Sequence, residues 1–411
     1  MIEPAVITGF GAITPVGNDR ESTWQALLKG RSGVRAITAF DPSGFATRIA
    51  GQVTGFDASD FLDAKRFART ARFSQFAIAA AREAIADAGL VIGTDNAERI
   101  AVVVNCGVAG MGETEAAARH LASAAPGRLS PYFVPSVIPN MAACEVAIDL
   151  GLHGLVTTTA AACASGVYAF LEARRLIVAG EADAVICGGT DASITPAMLA
   201  GLASLGAVSR RNDEPHRASR PFDADRDGFV YSEGAVLAVV ESARHAAERG
   251  AKSYATIAGG ALTCDAFHIS APEPSATYVT AAINQTLRRS ELRSAEVDYI
   301  CASGTATKVN DRLESAAIRA ALGSSADRIA VSSPKSMVGH MIGASGALST
   351  MVAAMAIRDG IAPPTINLDT PDPECDLDYI PNEARPMRIE TAMVNAFGLG
   401  GQNCVAALTR S

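Results

Sequence analysis

One pattern occurs twice in this chain, and it constrains the fold more than any other feature. Around residues 154–179 a β-branched run enters a turn of small residues and then a helix, GLVTTTAAACASGVYAFLEARRLIVAG. Around 329–360 the same grammar returns, IAVSSPKSMVGHMIGASGALSTMVAAMAIRDG. A repeated strand–turn–helix unit implies two similar halves stacked into one layered core. The halves are read as residues 1–250 and 251–411 of the 411-residue chain. Each half is expected to aim a reactive residue from the start of a central helix, Cys163 in the first and His340 in the second.

The rest of the chain fits that reading. Short β-branched runs predict strands at 4–8, 100–105, 154–159, 183–188, 234–241, 254–260, 297–302, 329–333, 392–396 and 403–408. Alanine-rich stretches predict helices at about 70–89, 163–179, 275–289, 310–322 and 340–358. Strands that read as continuous apolar runs between helices predict an α/β fold with a buried, largely parallel sheet. Aromatics are only 5% of residues while glycines number 36, so close packing of small side chains fills the layers.

Composition excludes several function classes. A net charge of −8 argues against general nucleic-acid binding. The eight cysteines form no CxxC pair, so neither a zinc site nor a disulfide scaffold is expected, and no metal is assigned. The longest apolar run, about Met337 to Ile357, contains His340 and several Gly and Ser, so it is expected to be a buried helix and not a membrane span. The N-terminal segment reads as a strand and turn and not as a signal peptide, so a cytoplasmic location is expected.

Three places could carry chemistry. Cys163 follows a tight turn of small residues and opens a helix, where the helix dipole and free N–H groups favour a thiolate. On residue type alone a free cysteine is equally a small core residue. His340 lies in Lys335-Ser336-Met337-Val338-Gly339-His340, and a lone histidine beside an apolar helix is commonly a core residue bonded to a carbonyl. Phe397-Gly398-Leu399-Gly400-Gly401-Gln402-Asn403 is either a plain hairpin turn or half of an oxyanion hole. No G-x-x-x-x-G-K-[ST] phosphate loop occurs.

The ordered set TAAACASG, CASGTATKVND, SSPKSMVGHMIGASGA and NAFGLGGQN closely resembles the elongating β-ketoacyl-acyl carrier protein synthases. That family includes fatty-acid condensing enzymes and the ketosynthase and chain-length-factor subunits of type II polyketide synthases. The resemblance spans the chain, from ITGFGAITPVG to the last hairpin, with RPFDADRDGFVYSEGAVLAVVE between. It implies a thiolase-like duplicated five-layered αβαβα fold. It also implies an acyl acceptor role for Cys163, covalent catalysis of the kind thiolates perform well. Backbone N–H groups of Cys163 and Phe397 would hold the oxyanion, with Phe397 also gating the pocket. Thr305 and Thr307 would bond the phosphopantetheine arm of the carrier protein, no bound cofactor being implied. Lys335 and His340 match the family's lysine and second catalytic histidine. SPYFVPSVIPNMAA, at 130–143, resembles the stretch that crosses a dimer interface.

Two positions depart from the pattern. Ser303, in Ser303-Gly304-Thr305, stands where the family has its first catalytic histidine, and Ser349 stands where a glutamate is usual nine residues after His340. Three readings follow: a condensing synthase with a relaxed site, an acyl-transferring but non-elongating ketosynthase, and a chain-length-factor-like subunit. Retention of Cys163 speaks against the last. The double departure, and Val309-Asn310-Asp311-Arg312, which resembles polyketide ketosynthases, lean toward a non-condensing polyketide-type subunit in a homodimer or heterodimer. Lys65, Arg66, Arg69 and Arg72, with Arg210, Arg211, Arg217 and Arg220, are either solvated charge or docking sites for an acidic acyl carrier protein.

Overall fold

The computed structural model describes residues 3–123 and 128–411. In chain order the main strands are β1 (Ala5–Ile13), β2 (Ile100–Asn105), β3 (Val156–Thr157), β4 (Ala184–Asp191) and β5 (Gly234–Ser242). They continue as β6 (Ala255–Cys264), β7 (Tyr299–Cys301), β8 (Ala330–Ser332), β9 (Thr391–Gly398) and β10 (Gln402–Thr409). The spatial order is β8-β7-β9-β10-β6-β1-β5-β4-β2-β3. Each half therefore repeats one topology. Its third, second, fourth, fifth and first strands lie side by side, and the halves join where β1 pairs antiparallel with β6.

The expected largely parallel sheet is corrected. β2 runs parallel to β3 and β4, and β7 runs parallel to β8 and β9. The last strand of each half, β5 and β10, returns antiparallel to both its neighbours. An apolar run reports burial on both faces and carries no information about strand direction. β3 is also shorter than expected. Thr158 donates its hydroxyl to the Val104 carbonyl at 2.8 Å, and Thr159 N–H donates to the Asn105 side chain at 2.7 Å, so side-chain bonds replace the ladder there.

Five helices complete the layers: α1 (Arg72–Ala88), α2 (Ser165–Val178), α3 (Thr277–Arg289), α4 (Lys308–Leu322) and α5 (Gly343–Asp359). α1 covers the outer face of the first half's strands, α3 and α4 cover the second's, and α2 and α5 lie between the two. The period of two in the strands sorts residues between cores. On β2, Ala101 and Val103 join the inner core, while Ile100, Val102 and Val104 join the outer one. α5 is buried on every side from Gly343 to Ile357. Among the described residues no helix is long and apolar enough to cross a membrane.

The repeated small-residue turns are where α2 and α5 cross. A Cβ on Gly166 would stand 2.6 Å from the Gly343 carbonyl oxygen, and one on Gly346 would stand 2.6 Å from Val167 N. Both distances are shorter than real Cβ contacts, so only glycine permits this backbone approach. The shared Ala-Ser-Gly of the two turns, Ala164-Ser165-Gly166 and Ala344-Ser345-Gly346, is thus a packing requirement.

Candidate active site

A cavity of about 710 Å³ opens where the two halves meet, lined among others by Cys163, Phe229, Thr305, Thr307, Glu314, His340, Phe397 and Leu399. Cys163 sits in a short 3₁₀ turn, Ala162–Ala164, ahead of α2. Ala162 is held at φ +46°, which turns the following side chain out of the sheet and into the cavity. The expected fall in the thiol's pKa is corrected. Burial pushes the Cys163 thiol up, and this outweighs the downward pull of the Lys335 charge and of two backbone N–H groups. Those N–H groups belong to Leu399 and to Cys163 itself.

That geometry corrects a second expectation. The backbone donor facing Cys163 from the glycine-rich turn is Leu399, two residues beyond Phe397. The Phe397 side chain lines the cavity and packs on the outer core of α3 and α4. The hairpin tip turns through Gly400 and Gly401, at φ +85° and +76°, and Gly401 N–H donates to the Gly398 carbonyl at 3.1 Å. This turn carries the Leu399 N–H to the Cys163 thiol.

His340 is not on a helix. It forms an isolated bridge with Tyr231, three residues before α5 begins, so the predicted helix start at 340 moves to 343. Its Nδ1 accepts the Ile342 N–H at 3.2 Å and lies 2.9 Å from the Ser345 hydroxyl. An acceptor Nδ1 assigns the ring proton to Nε2. Burial, and then the nearby Lys335 charge, hold its pKa well below the usual histidine range. The ring is therefore a neutral N–H donor, in edge-to-face contact with Phe229 at 5.3 Å.

Lys335 and Ser303 are brought together, one beneath the other. Lys335 is buried, and its Nζ donates to the Ser303 carbonyl oxygen at 2.5 Å. Burial lowers its pKa, opposed by the charge of Glu314. Ser303 is only 2% exposed. Its N–H and that of Gly304 donate to the two Glu314 oxygens, each at 2.8 Å, and Asn395 donates to Glu314 at 3.0 Å. Glu314 therefore fixes the loop that carries position 303. The sequence reading missed it, although Asp311 and Glu314 share one face of α4 at a spacing of three. Asp311 accepts the Thr305 N–H at 3.0 Å, which holds the Thr305 and Thr307 hydroxyls 3.0 Å apart on the cavity wall. Thr307 also caps α4. Ser349 is buried in α5, with its hydroxyl against the Cys301 thiol.

The basic clusters are mostly consumed by ion pairs. Arg66 bonds Asp149 at 2.5 Å, and Arg72 bonds Glu233 at 2.9 Å. Arg217 bonds Asp369 at 2.7 Å, and Arg220 is buried on Asp223 at 2.9 Å. Arg211 donates to the Asp225 carbonyl at 2.8 Å. These side chains hold the fold together, and their charge is matched by carboxylates. Lys65, Arg69 and Arg210 make no ion pair among the described residues. Residues 130–143 expose Tyr132 by 41%, Val134 by 61% and Ile138 by 37%.

Comparison with known proteins agrees with this arrangement. Residues 3–246 match the family described as beta-ketoacyl synthase, N-terminal domain, and residues 254–369 match its C-terminal domain. A Synechocystis protein named 3-oxoacyl-[acyl-carrier-protein] synthase 2 is 48% identical over 98% of this chain and 97% of its own. A type II polyketide ketosynthase solved with its acyl-carrier protein and a bound hexaketide is 31% identical, with a TM-score of 0.93 over 100% of both chains. The ishigamide ketosynthase/chain length factor is 34% identical, with a TM-score of 0.93 over 100% of both chains. A cavity-lining thiol between two backbone N–H groups, a neutral histidine donor and a thiolase-like duplicated α/β fold are joined by sequence identity along nearly the whole chain, and this chain belongs to the beta-ketoacyl synthase family.

Proposed function

We propose that this chain takes an acyl group from acyl carrier protein onto Cys163 but decarboxylates malonyl thioesters poorly, acting as a non-condensing ketosynthase subunit. The Cys163 thiolate attacks the thioester carbonyl, and the oxyanion receives the N–H groups of Cys163 and Leu399. The carbon–sulfur bond to phosphopantetheine then breaks, and its sulfur leaves as a thiolate that takes up the proton released from Cys163, with the arm against Thr305 and Thr307. Decarboxylation instead develops enolate charge, which needs donors aimed at that oxygen. The observation that carries the proposal is Ser303, a buried serine where a second imidazole is expected, leaving the Nε2–H of His340 as the side-chain donor. Losing one such donor costs about 10²–10³ in rate.

The structural likeness to a ketosynthase/chain length factor supports pairing with a second ketosynthase subunit through the apolar face at 130–143 and β3. Lys65, Arg69 and Arg210 are the cations left to steer an acidic carrier protein. Reversing them to Glu is expected to slow association and to flatten its salt dependence. A second reading, an active condensing synthase, is favoured by the name of the relative that is 48% identical. Carbon dioxide release from labelled malonyl-carrier protein separates the two, measured on the parent chain and on Ser303→His. Slow release by the parent and a gain of about 10²-fold in the variant are expected. Rapid release by the parent chain establishes the condensing reading. No release in either form, with Cys163 still acylated, assigns the chemistry to a partner subunit.

A further inference from the structure

Arg226 is a buried cation that the reaction just described does not use. It is 2% exposed. Burial works against its charge, but the carboxylates of Asp311 and Asp372 outweigh it and keep the guanidinium protonated. Its Nη1 donates to Asp372 Oδ2 at 2.6 Å and to the Asp223 carbonyl at 2.7 Å. Its Nε and Nη2 donate to the carbonyls of Thr307 and Lys308, at 3.2 and 3.1 Å. A flat, rigid fork of donors holds two successive carbonyls and a carboxylate at once, which a single ammonium does not match.

The segment held in this way is the one that carries Thr305 and Thr307, and its own backbone is under strain. Ala306 sits at φ +64° with its side chain fully buried, a conformation that persists only where the surroundings impose it. The restraints come from outside the segment. Gly228 N–H donates to the Ala306 carbonyl at 3.1 Å, and Arg226 takes the next two carbonyls. Arg226 Nε also lies 3.5 Å from Asp311 Oδ2, so the same guanidinium orients the carboxylate that accepts the Thr305 N–H. Arg226 stands behind the wall of the cavity that Thr305, Thr307 and Lys308 line, and it acts on the cavity through them.

We infer that Arg226, clamped by Asp372, is a positioning residue that holds the Thr305 and Thr307 hydroxyls where they meet the phosphopantetheine arm. The inference rests on the reading of Cys163 as the acyl acceptor, with the arm against those threonines. Arg226 then serves recognition of donors that carry the arm, and not the attack of the thiol on the carbonyl. A small displacement of positioning groups is enough to lose much of a bound substrate's advantage.

The test compares two hexanoyl donors that differ only in the arm, S-hexanoyl-phosphopantetheine and the hexanoyl ester of ethanethiol. Acylation of Cys163 is followed by intact-protein mass spectrometry over a range of donor concentrations. The parent chain is expected to prefer the phosphopantetheine ester. Arg226→Lys keeps the charge and loses the fork. Its preference is expected to fall about tenfold, through the half-saturating concentration and not the limiting rate. Asp372→Asn keeps Arg226 and removes only the charged end of its clamp, so a fall of roughly threefold in the same direction is expected. If Arg226→Lys does not fold, Asp372→Asn decides by the same criteria. An undiminished preference, or a loss shared equally by the two donors, overturns the inference and leaves the acyl-acceptor reading intact. Equal use of both donors by the parent removes the arm from Thr305 and Thr307, and the inference with it. No adduct from either donor removes the reading of Cys163 on which the inference rests.

Discussion

The turn before α2 and the turn before α5 are copies of one backbone device put to different use. In Ala162-Cys163-Ala164-Ser165-Gly166 and Ile342-Gly343-Ala344-Ser345-Gly346, the residue ahead of the helix sits at φ +46° and +48° respectively. Both turns lead into helices that cross on Ser-Gly. The position that is Cys163 in the first copy is Gly343 in the second, and not His340. A Cβ on Gly343 would stand 2.7 Å from both Asp191 Oδ2 and Gly107 N. Its N–H donates instead to Asp191 at 2.8 Å. One copy therefore presents a side chain to the cavity, and the other gives up its side chain to let the backbones meet. The duplication supplied the elbow, and divergence at one position decided which elbow carries a thiol.

The largest effect should come from the copy that carries Cys163. Cys163→Ala is expected to reduce acylation from acyl-carrier protein at least 10³-fold, with the melting temperature nearly unchanged, as seen by mass spectrometry and calorimetry. Labelling elsewhere in that variant would break the assignment of the first turn as the reactive one.

Placing the same side chain in the second copy tests the contrast from the other side. Gly343→Cys is expected to give no second acyl site and to destabilise the fold by about 3 kcal/mol, because backbone atoms occupy the space its Cβ needs. A well-folded variant acylated at residue 343 would show that the two turns are interchangeable.

A smaller effect separates the electrostatics of the first turn. The Cys163 thiol is raised by burial and lowered by the Lys335 charge. Its alkylation rate should therefore climb with pH through a midpoint above that of an ordinary thiol. Removing the charge in Lys335→Met takes away a lowering influence, so the midpoint moves further up and alkylation at pH 8 slows about tenfold. A midpoint shifted down would contradict the ordering of causes.

The smallest effect concerns strain. Ala162→Gly removes the Cβ at a positive φ, and the gain is offset by the greater freedom of glycine in the unfolded chain. A net change within about 1 kcal/mol is expected in denaturant unfolding. A large loss would show that the Ala162 methyl, close to where the hairpin tip passes over Cys163, is essential to packing.

Much of this architecture was legible in the chain. β2 falls on the predicted run 100–105, and α1 lies within the predicted 70–89. Apolar continuity and alanine-rich periodicity are local signals, and these elements obey them. The small residues of the crossing were legible because a repeated Ala-Ser-Gly has no reason to recur unless two backbones approach. The antiparallel return of β5 and β10 was not legible, because strand direction is set by the crossovers between elements. Arg66, Arg72 and Arg220 read as free charge because their carboxylate partners Asp149, Glu233 and Asp223 are recognised only through contacts in space.

For the site, the sequence by itself determined which atoms are present: one thiol at an elbow, one histidine, and a serine where a second imidazole is expected. Those identities follow from residue type, which no fold can alter. Tertiary structure decided how the atoms are aimed and charged. It put Leu399, and not Phe397, over the Cys163 thiol, because a hairpin tip's reach depends on where its strands end. It made His340 a neutral Nε2–H donor through the Ile342 N–H and burial, and it fixed Ser303 on Glu314 from a different helix. Hydrogen bonding and desolvation act through space, so they are settled only when distant segments meet.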